Sequence, residues 1–530
     1  MKYIKTILTI GALIIIVAAI IAITIPQFAA YRARSPHSST AYQLEMFRQA
    51  PPASPVNGQP YPDMFFKHYG VNPTIDTDEE NLSTFAADVD TASYSLARSY
   101  FHNGAMPPEE AIRVEEFVNY FDYGYTPPED GVFRMTAEAF PSPTRKGYHT
   151  LVMALKGKVI EAENRKPANL VFVIDTSGSM NMENRLGLAK RSLRYLVHRL
   201  EEKDSVSIVE YGSTARVALE PTSGDRKSRI RRAVDLLEPS GVTNASAGIS
   251  LGYKLASQAL IPGGINALIV LSDGVANSGV TGADGILEQI KERRKDGITV
   301  STIGFGMGNY NDILMEQLAN HGDGAYYYVD RPAQAKRVFE ENLTGALQVI
   351  ARDVKLQVEF DRKNVSRFRL VGYENRIMTD EQFQDVKADA GEIGSGHSVT
   401  AIYEVKFSHG PADIGTLRVR YKDVDTGGSE QLDLQLAGSI VKNTIGQARP
   451  STRLALAAAQ FAEKLRGSYW VRNLEYWQVA ELIDEVGGKF NRDNDLDELM
   501  DFARNAEGMD KRKDKFTTEG GWSGEYANNG

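Results

Sequence analysis

The chain has no cysteine in 530 residues, which excludes disulfides, cysteine–zinc sites, iron–sulfur clusters, thiol catalysis and lipid attachment through cysteine. The compartment stays open, because cysteine-free chains occur on both sides of a membrane. None of the eight histidines stands in a His-Glu-x-x-His spacing, and no Gly-x-x-x-x-Gly-Lys-Ser/Thr phosphate loop occurs. Basic residues are also in deficit, 60 Lys and Arg against 69 Asp and Glu, for a net charge of −9. Residues 1–35 hold Lys2, Lys5, Arg32 and Arg34 and no acid, so the rest of the chain is more acidic than the total. Such a body is unsuited to general nucleic-acid binding, which needs clustered Lys and Arg, and is compatible with binding cations. The 42% hydrophobic fraction is that of a globular protein, and the length suggests about three domains.

No charge lies between Lys5 and Arg32, and Ile7 to Ile25 is almost wholly apolar. At helical rise this run spans a hydrocarbon core of about 30 Å. Residues 1–32 therefore read as a membrane anchor or a signal segment, with Phe28-Ala29-Ala30 as a weak cleavage site. The expectation is a single-pass membrane protein whose body lies outside the cytoplasm. Residues 33–63, rich in Ser, Pro, Ala and Gln, read as a flexible linker.

Residues 64–130 form a helical N-terminal extension, with helix patterns at Ser93 to Phe101 and Pro108 to Phe121. Residues 131–167 look like strands. Across 168–350 strands alternate with helices: strand candidates fall at 170–174, 205–211, 266–272, 299–304 and 325–329, and the last helix pattern covers 333–350. That alternation predicts an α/β fold, a doubly wound and mainly parallel sheet covered on both faces. Leu170 to Ile174 and Ala267 to Leu271 are continuous apolar runs, as central strands require. From 351 to 440 the period is two (Val354, Leu356, Val358, Phe360), the mark of antiparallel sheet with one buried face. The strands of 131–167 and 351–440 are expected to form one β-sandwich into which the α/β region is inserted. Residues 441–507 form a helical C-terminal region, and 508–530 a polar tail expected to be disordered.

The residues that carry chemistry begin at Asp175-Thr176-Ser177-Gly178-Ser179-Met180, directly after the first apolar strand. A carboxylate and two hydroxyls on one turn stand at the edge where doubly wound sheets bind ligands. Thr243 opens a later helix, and Asp273 leaves another fully apolar strand. Three hydroxyls and two carboxylates make an all-oxygen set, without the nitrogen or sulfur that zinc and copper favour. Few carboxylates suit Mg²⁺ or Mn²⁺; Ca²⁺, which collects more oxygens, fits less well. Helix capping by Asp or Ser explains each element alone. It does not explain three such elements together.

This constellation resembles the metal-ion-dependent adhesion site of von Willebrand factor type A domains, with all five positions matched: Asp175, Ser177, Ser179, Thr243 and Asp273. The resemblance implies that the serines and Thr243 ligate the metal directly and that the aspartates act mostly through water. It also implies a vacant position filled by a partner's carboxylate. Phe85 to Tyr94, Arg113 to Phe121 and Gly394 to Ala401 extend the likeness to bacterial proteins with this domain, an N-terminal extension and a dedicated C-terminal region.

Two functions follow. One is a non-enzymatic, divalent-metal-dependent adhesion or scaffold module, tethered to a bacterial cell membrane by the N-terminal helix, with its body periplasmic or extracellular. The other is a cytoplasm-facing subunit assisting an AAA-type ATPase. The remaining signals are weaker. Asp88, Asp90 and Ser93 mimic a metal motif at the wrong spacing, and Asp90 reads as a helix cap. Asp493, Asp495 and Asp497 begin like a calcium loop but lack its Gly and Glu, and read as a solvated helix start. His397 reads as part of a Gly-rich turn, and Trp470, Tyr476 and Trp477 as core of the C-terminal helices.

Overall fold

The computed structural model describes residues 64–241, 243–274, 283–294, 296–307, 310–342, 348–490 and 494–512. All of them belong to one compact unit, Ala53–Gly530. The described residues open with three short strands, β1 (Met64–Phe65), β2 (Ile75–Asp76) and β3 (Leu82–Ala86), and two helices, α1 (Ala92–His102) and α2 (Val114–Asn119). The strands β4 (Phe133–Pro141) and β5 (His149–Gly157) then lead into the α/β region.

That region is a sheet of β6 (Ala168–Asp175), β7 (Ser205–Tyr211), β8 (Ala215–Ser223), β9 (Ile265–Ser272), β10 (Thr299–Phe305) and β12 (Tyr326–Val329). The order is β12-β10-β9-β6-β7-β8, parallel throughout except that β8 runs antiparallel to β7 at one edge. Helices α3 (Arg185–Arg199), α4 (Lys227–Asp235), α5 (Ala245–Gln258), α6 (Ala283–Arg294), α7 (Asp312–His321) and α8 (Pro332–Lys336) accompany it. Buried side chains of β6 and β9 enter separate cores on the two faces: Leu170, Phe172 and Ile174 on one, Val171 and Val173 on the other. This explains the unbroken apolar runs. β7 lies on one side of β6 and β9 on the other, so the strand order reverses at the carboxyl end of β6.

The antiparallel strands are β13 (Val349–Phe360), β14 (Val365–Val371), β15 (Gly391–Gly394), β16 (Ser398–Phe407), β17 (Gly415–Asp423) and β18 (Ser429–Leu436), with a short helix α9 (Asp380–Gln384). They share sheets with strands from before the α/β region: β5 pairs β16, and β3 pairs β13. The α/β region is thus inserted in a β-sandwich, whose core includes Leu151, Leu155, Leu356, Val358 and Tyr403. Three helices close the fold, α10 (Pro450–Leu465), α11 (Tyr476–Gly487) and α12 (Asn494–Met509). They share one core with α1 and α2, through Tyr94, Phe117, Phe461 and Leu499. Helices from before and after the β-sandwich therefore form one helical layer.

Three expectations need adjustment. The helix read over 333–350 ends earlier: α8 passes into a π-helical turn over Arg337–Asn342, and Val349 already opens β13. The extension of 64–130 holds β1 as well as helices, and β1 adds to the α/β region by pairing in parallel with β11 (Tyr310–Asn311). The expected membrane localisation is corrected: among the described residues no helix is long and apolar enough to cross a membrane. The Ile7 to Ile25 run on which that reading rested, the 33–63 linker and the tail from 513 lie outside the described residues.

Candidate metal centre

β6 is buried along its whole length and delivers Asp175, with no exposed surface, to the carboxyl edge of the sheet. The chain then turns against β7: the Thr176 amide and hydroxyl both donate to the Tyr211 carbonyl, at 2.8 and 3.0 Å. Both Asp175 oxygens are engaged, Oδ1 by the Ser177 amide at 2.8 Å and Oδ2 by the Ser272 hydroxyl at 2.9 Å. The Ser177 and Ser179 hydroxyls lie 3.0 Å apart.

The loop carrying Thr243 is tied to this turn. The Gly178 amide donates to the Gly241 carbonyl at 3.1 Å, and the Ser240 amide donates to that of Thr176. Thr243 is buried, and Asn244 rather than Thr243 caps α5, accepting from the Ala247 amide at 3.2 Å. Asp273 follows β9 and is fully buried. Because Ile174 pairs with Leu271, it emerges beside Asp175. All five residues predicted from sequence thus sit on three neighbouring loops at the switch point.

Capping does not account for Ser177. Ser177 precedes the 3-10 turn over Gly178–Asn184, yet its side chain makes no capping bond. Burial, with the Asp273 charge second, pushes the Asp175 carboxyl up to about 7. Two buried carboxylates this close favour a nearby cation.

One cation is already there, and the sequence reading missed it. Arg185, the first residue of α3, is 3% exposed and donates through Nη1 to Asp273 Oδ2 at 3.0 Å. Its Nη2 donates to the Met307 carbonyl and lies 3.4 Å from Glu183 Oε2. The available signal was a basic residue, with no acid in the first turn, at a helix start where the macrodipole favours anions.

Other sequence candidates resolve differently. Asp90 is no cap: Thr91 occupies that position, while Asp90 accepts from the Tyr326 amide at 2.7 Å and pairs with Arg376. Asp88 pairs with Arg376 too, at 2.8 Å, and Ser93 donates to the Ala111 carbonyl. Asp495 is not a solvated helix start but pairs with Arg331 and Arg337, whereas Asp493 lies outside the described residues. Trp470 donates to the Asn72 carbonyl and Tyr476 is buried, but Trp477 is 53% exposed and outside the core. Burial pushes the His397 imidazole down to about 4 in its Gly-rich turn. Gly248-Ile249-Ser250-Leu251-Gly252 has the spacing of a nucleophile elbow, which the sequence reading overlooked, but it lies within α5 and not at a strand-to-helix turn. A Cβ on Gly252 would meet Val173 and Leu268 at 2.6 Å, so these glycines serve close helix–sheet packing.

Family models match the α/β region and the segments on both sides of it. The family model described as von Willebrand factor type A domain matches residues 169–341, one described as von Willebrand factor matches 61–152, and one for the C-terminal region of the uncharacterized protein YfbK matches 345–509. YfbK of Escherichia coli (strain K12) is 33% identical over 452 residues, 80% of this chain and 78% of that protein. Inter-alpha-trypsin inhibitor heavy chain H3 of Homo sapiens is 26% identical over 254 residues, 45% of this chain and 28% of that one. Among solved structures, the von Willebrand factor type A protein from Catenulispora acidiphila aligns over 68% of this chain and 87% of its own, at 17% identity and a TM-score of 0.43.

Proposed function

Because the chain belongs to the bacterial family in which a von Willebrand factor type A domain, a protein-interaction module, is followed by a YfbK-type C-terminal region, we propose that its carboxyl-edge site is a divalent-metal centre that binds a carboxylate of a protein partner. Ser177, Ser179 and Thr243 are its direct ligands, Asp175 and Asp273 act mostly through water, and Mg²⁺ or Mn²⁺ is the ion. The observation that carries this reading is the pair of serine hydroxyls 3.0 Å apart on the turn leaving Asp175, with Ser177 not spent on capping. The donor set fits: it is all oxygen, and the three direct ligands are neutral hydroxyls, so a partner's carboxylate would be the one anion bound to the ion directly. When bound, the ion supplies a Lewis-acidic position for the partner's Asp or Glu. The chain's own residues orient it, and the fully buried Asp175 and Asp273 close the floor of the site to bulk solvent. The proposed role is binding, without a catalytic step.

Calorimetric titration of the whole chain with Mg²⁺ or Mn²⁺ tests this. Saturable heat is expected from the wild type, with at least a tenfold weaker response, on the order of 1.4 kcal/mol or more, in Asp175→Ala and Ser177→Ala. Circular dichroism checks that both variants fold. Heat equal to wild type in both would sink the proposal.

A further inference from the structure

Three features of the chain converge on one guanidinium. First, α3 opens on Arg185 with no acid in its first turn, although a helix N-terminus favours negative charge. Second, the two residues before it, Glu183 and Asn184, both adopt left-handed backbone, at φ 50° and 58°, which is uncommon for residues other than glycine. Strain of this kind concentrates at functional sites. Third, Gly306, at φ +79°, clears the path of the side chain: a Cβ there would stand 2.1 Å from Arg185 Nε and 2.4 Å from its Cδ. The outcome is a buried guanidinium 3.0 Å from Asp273 Oδ2 and held on the Met307 carbonyl.

We infer that Arg185 is a built-in counter-cation of the metal centre, a positioning residue that acts through Asp273 and exchanges metal affinity for carboxylate affinity. The inference rests on reading the site as a metal centre. Asp175 and Asp273 alone would neutralise a divalent ion. With Arg185 on Asp273 the loaded site carries a net positive charge, drawing an anionic side chain more strongly while holding the ion less tightly. Glu183 lies 3.4 Å from the same guanidinium, but its side chain is 57% exposed, so water screens most of its opposing charge. A merely structural Arg185, bracing the loop at Met307, would predict the reverse: its loss would loosen Asp273 and weaken metal binding.

The test is calorimetry of the full chain with Mn²⁺, comparing wild type, Arg185→Met, Arg185→Gln and Arg185→Lys. The expected result is about tenfold tighter Mn²⁺ binding in the Met and Gln variants, with the Lys variant within about threefold of wild type. Acetate added to the Mn²⁺-loaded protein probes the second half, and should bind several-fold more weakly to Arg185→Met. Should Arg185→Met fail to fold, Arg185→Gln, which keeps a hydrogen-bond donor without the charge, carries the same expectation. Unchanged or weaker Mn²⁺ binding in a folded uncharged variant overturns the inference, as does equal acetate binding. The two ideas fail separately. Mn²⁺ heat that is absent or survives Asp175→Ala sinks the metal centre itself, whereas heat lost in Asp175→Ala yet not strengthened in either uncharged variant sinks only the role of Arg185.

Discussion

Arg369→Met should destabilise the folded chain by about 2–4 kcal/mol, read as a large fall in its thermal or urea midpoint, because it takes one of two cations from each of two buried carboxylates, leaving Glu404 with Arg145 and Glu463 with Arg466. Arg369 lies on β14 with almost no exposed surface and donates to Glu404 of the neighbouring β16 at 2.8 Å and to Glu463 of α10 at 3.0 Å. Glu463 also takes Arg466 and the Ser468 hydroxyl, and Arg466 reaches Glu374 at 2.9 Å. This network joins the sandwich to the C-terminal helices. Burial pushes the Glu463 carboxyl up, but Arg466 and Arg369 outweigh it and hold the group at about 2. A depressed folded-state value means that the contribution is present above the ordinary value of 4.5 and lost as pH falls toward 2. The gap between wild type and Arg369→Met should therefore be widest above about pH 4.5 and narrow on acidification. Equal midpoints at pH 6 would mean that the network contributes nothing.

Leu170 to Ile174 and Ala267 to Leu271 could be read as central strands because a strand buried on both faces must be apolar at every position. The alternation of Val354, Leu356 and Val358 revealed a strand with one inward face for the same reason. β8 was not visible: it is an edge strand whose Arg216, Glu220 and Pro221 face solvent, leaving no apolar period. β1 and β2 have two residues each, too few for any period. The helix read over 333–350 merged apolar residues of two elements, Val338 and Phe339 before the change and Val349 and Ile350 after it. The shared core of α1, α2 and α10 to α12 was out of reach for a different reason. Each helix shows its apolar stripe locally, but which stripe meets which across more than 300 residues is written in no local pattern.

The site divides in the same way. Asp175, Ser177 and Ser179 share one turn, so adjacency in sequence is adjacency in space. Thr243 and Asp273 come to the same edge because their loops surround the switch point, through the Gly178–Gly241 bond and the pairing of β6 with β9. Arg185 escaped because its role depends on a carboxylate 88 residues away and on a glycine at 306. Asp90 and Asp495 were misread by one error: a carboxylate at a helix start was assigned to that helix. In both cases it serves another element, β12 for Asp90 and the segment after β12 for Asp495.

That last pairing yields the second large expectation, for the double variant Asp495→Ala, Glu498→Ala. Arg98 of α1 is buried and clasps Asp330 at 2.6 and 2.7 Å. Arg331 reaches Glu498 at 2.6 Å and Asp495 at 3.1 Å, and Arg337 reaches Asp495 at 2.6 Å. Three cations thus face Asp330, Asp495 and Glu498. Removing the two acids of α12 leaves three guanidinium groups against one carboxylate, Asp330, which is held by Arg98, and so a net positive charge in a patch mostly closed to water. Breaking one side of such an assembly costs about 3–5 kcal/mol where the stranded charge stays buried. Arg331 and Arg337 retain 28% and 22% exposure and can turn outward, which brings the expectation to roughly 2–4 kcal/mol. Leu496, Leu499 and Phe502 still pack into the helical core, so the chain should not unfold as a whole. Hydrogen exchange should instead show lost protection over 494–509, while β6 and β9, buried in their own cores, keep theirs. Unchanged exchange over 494–509 would show that apolar packing alone docks α12. Loss of protection in β6 as well would mean that the ion cluster braces the central sheet, and with it the turn that carries Asp175.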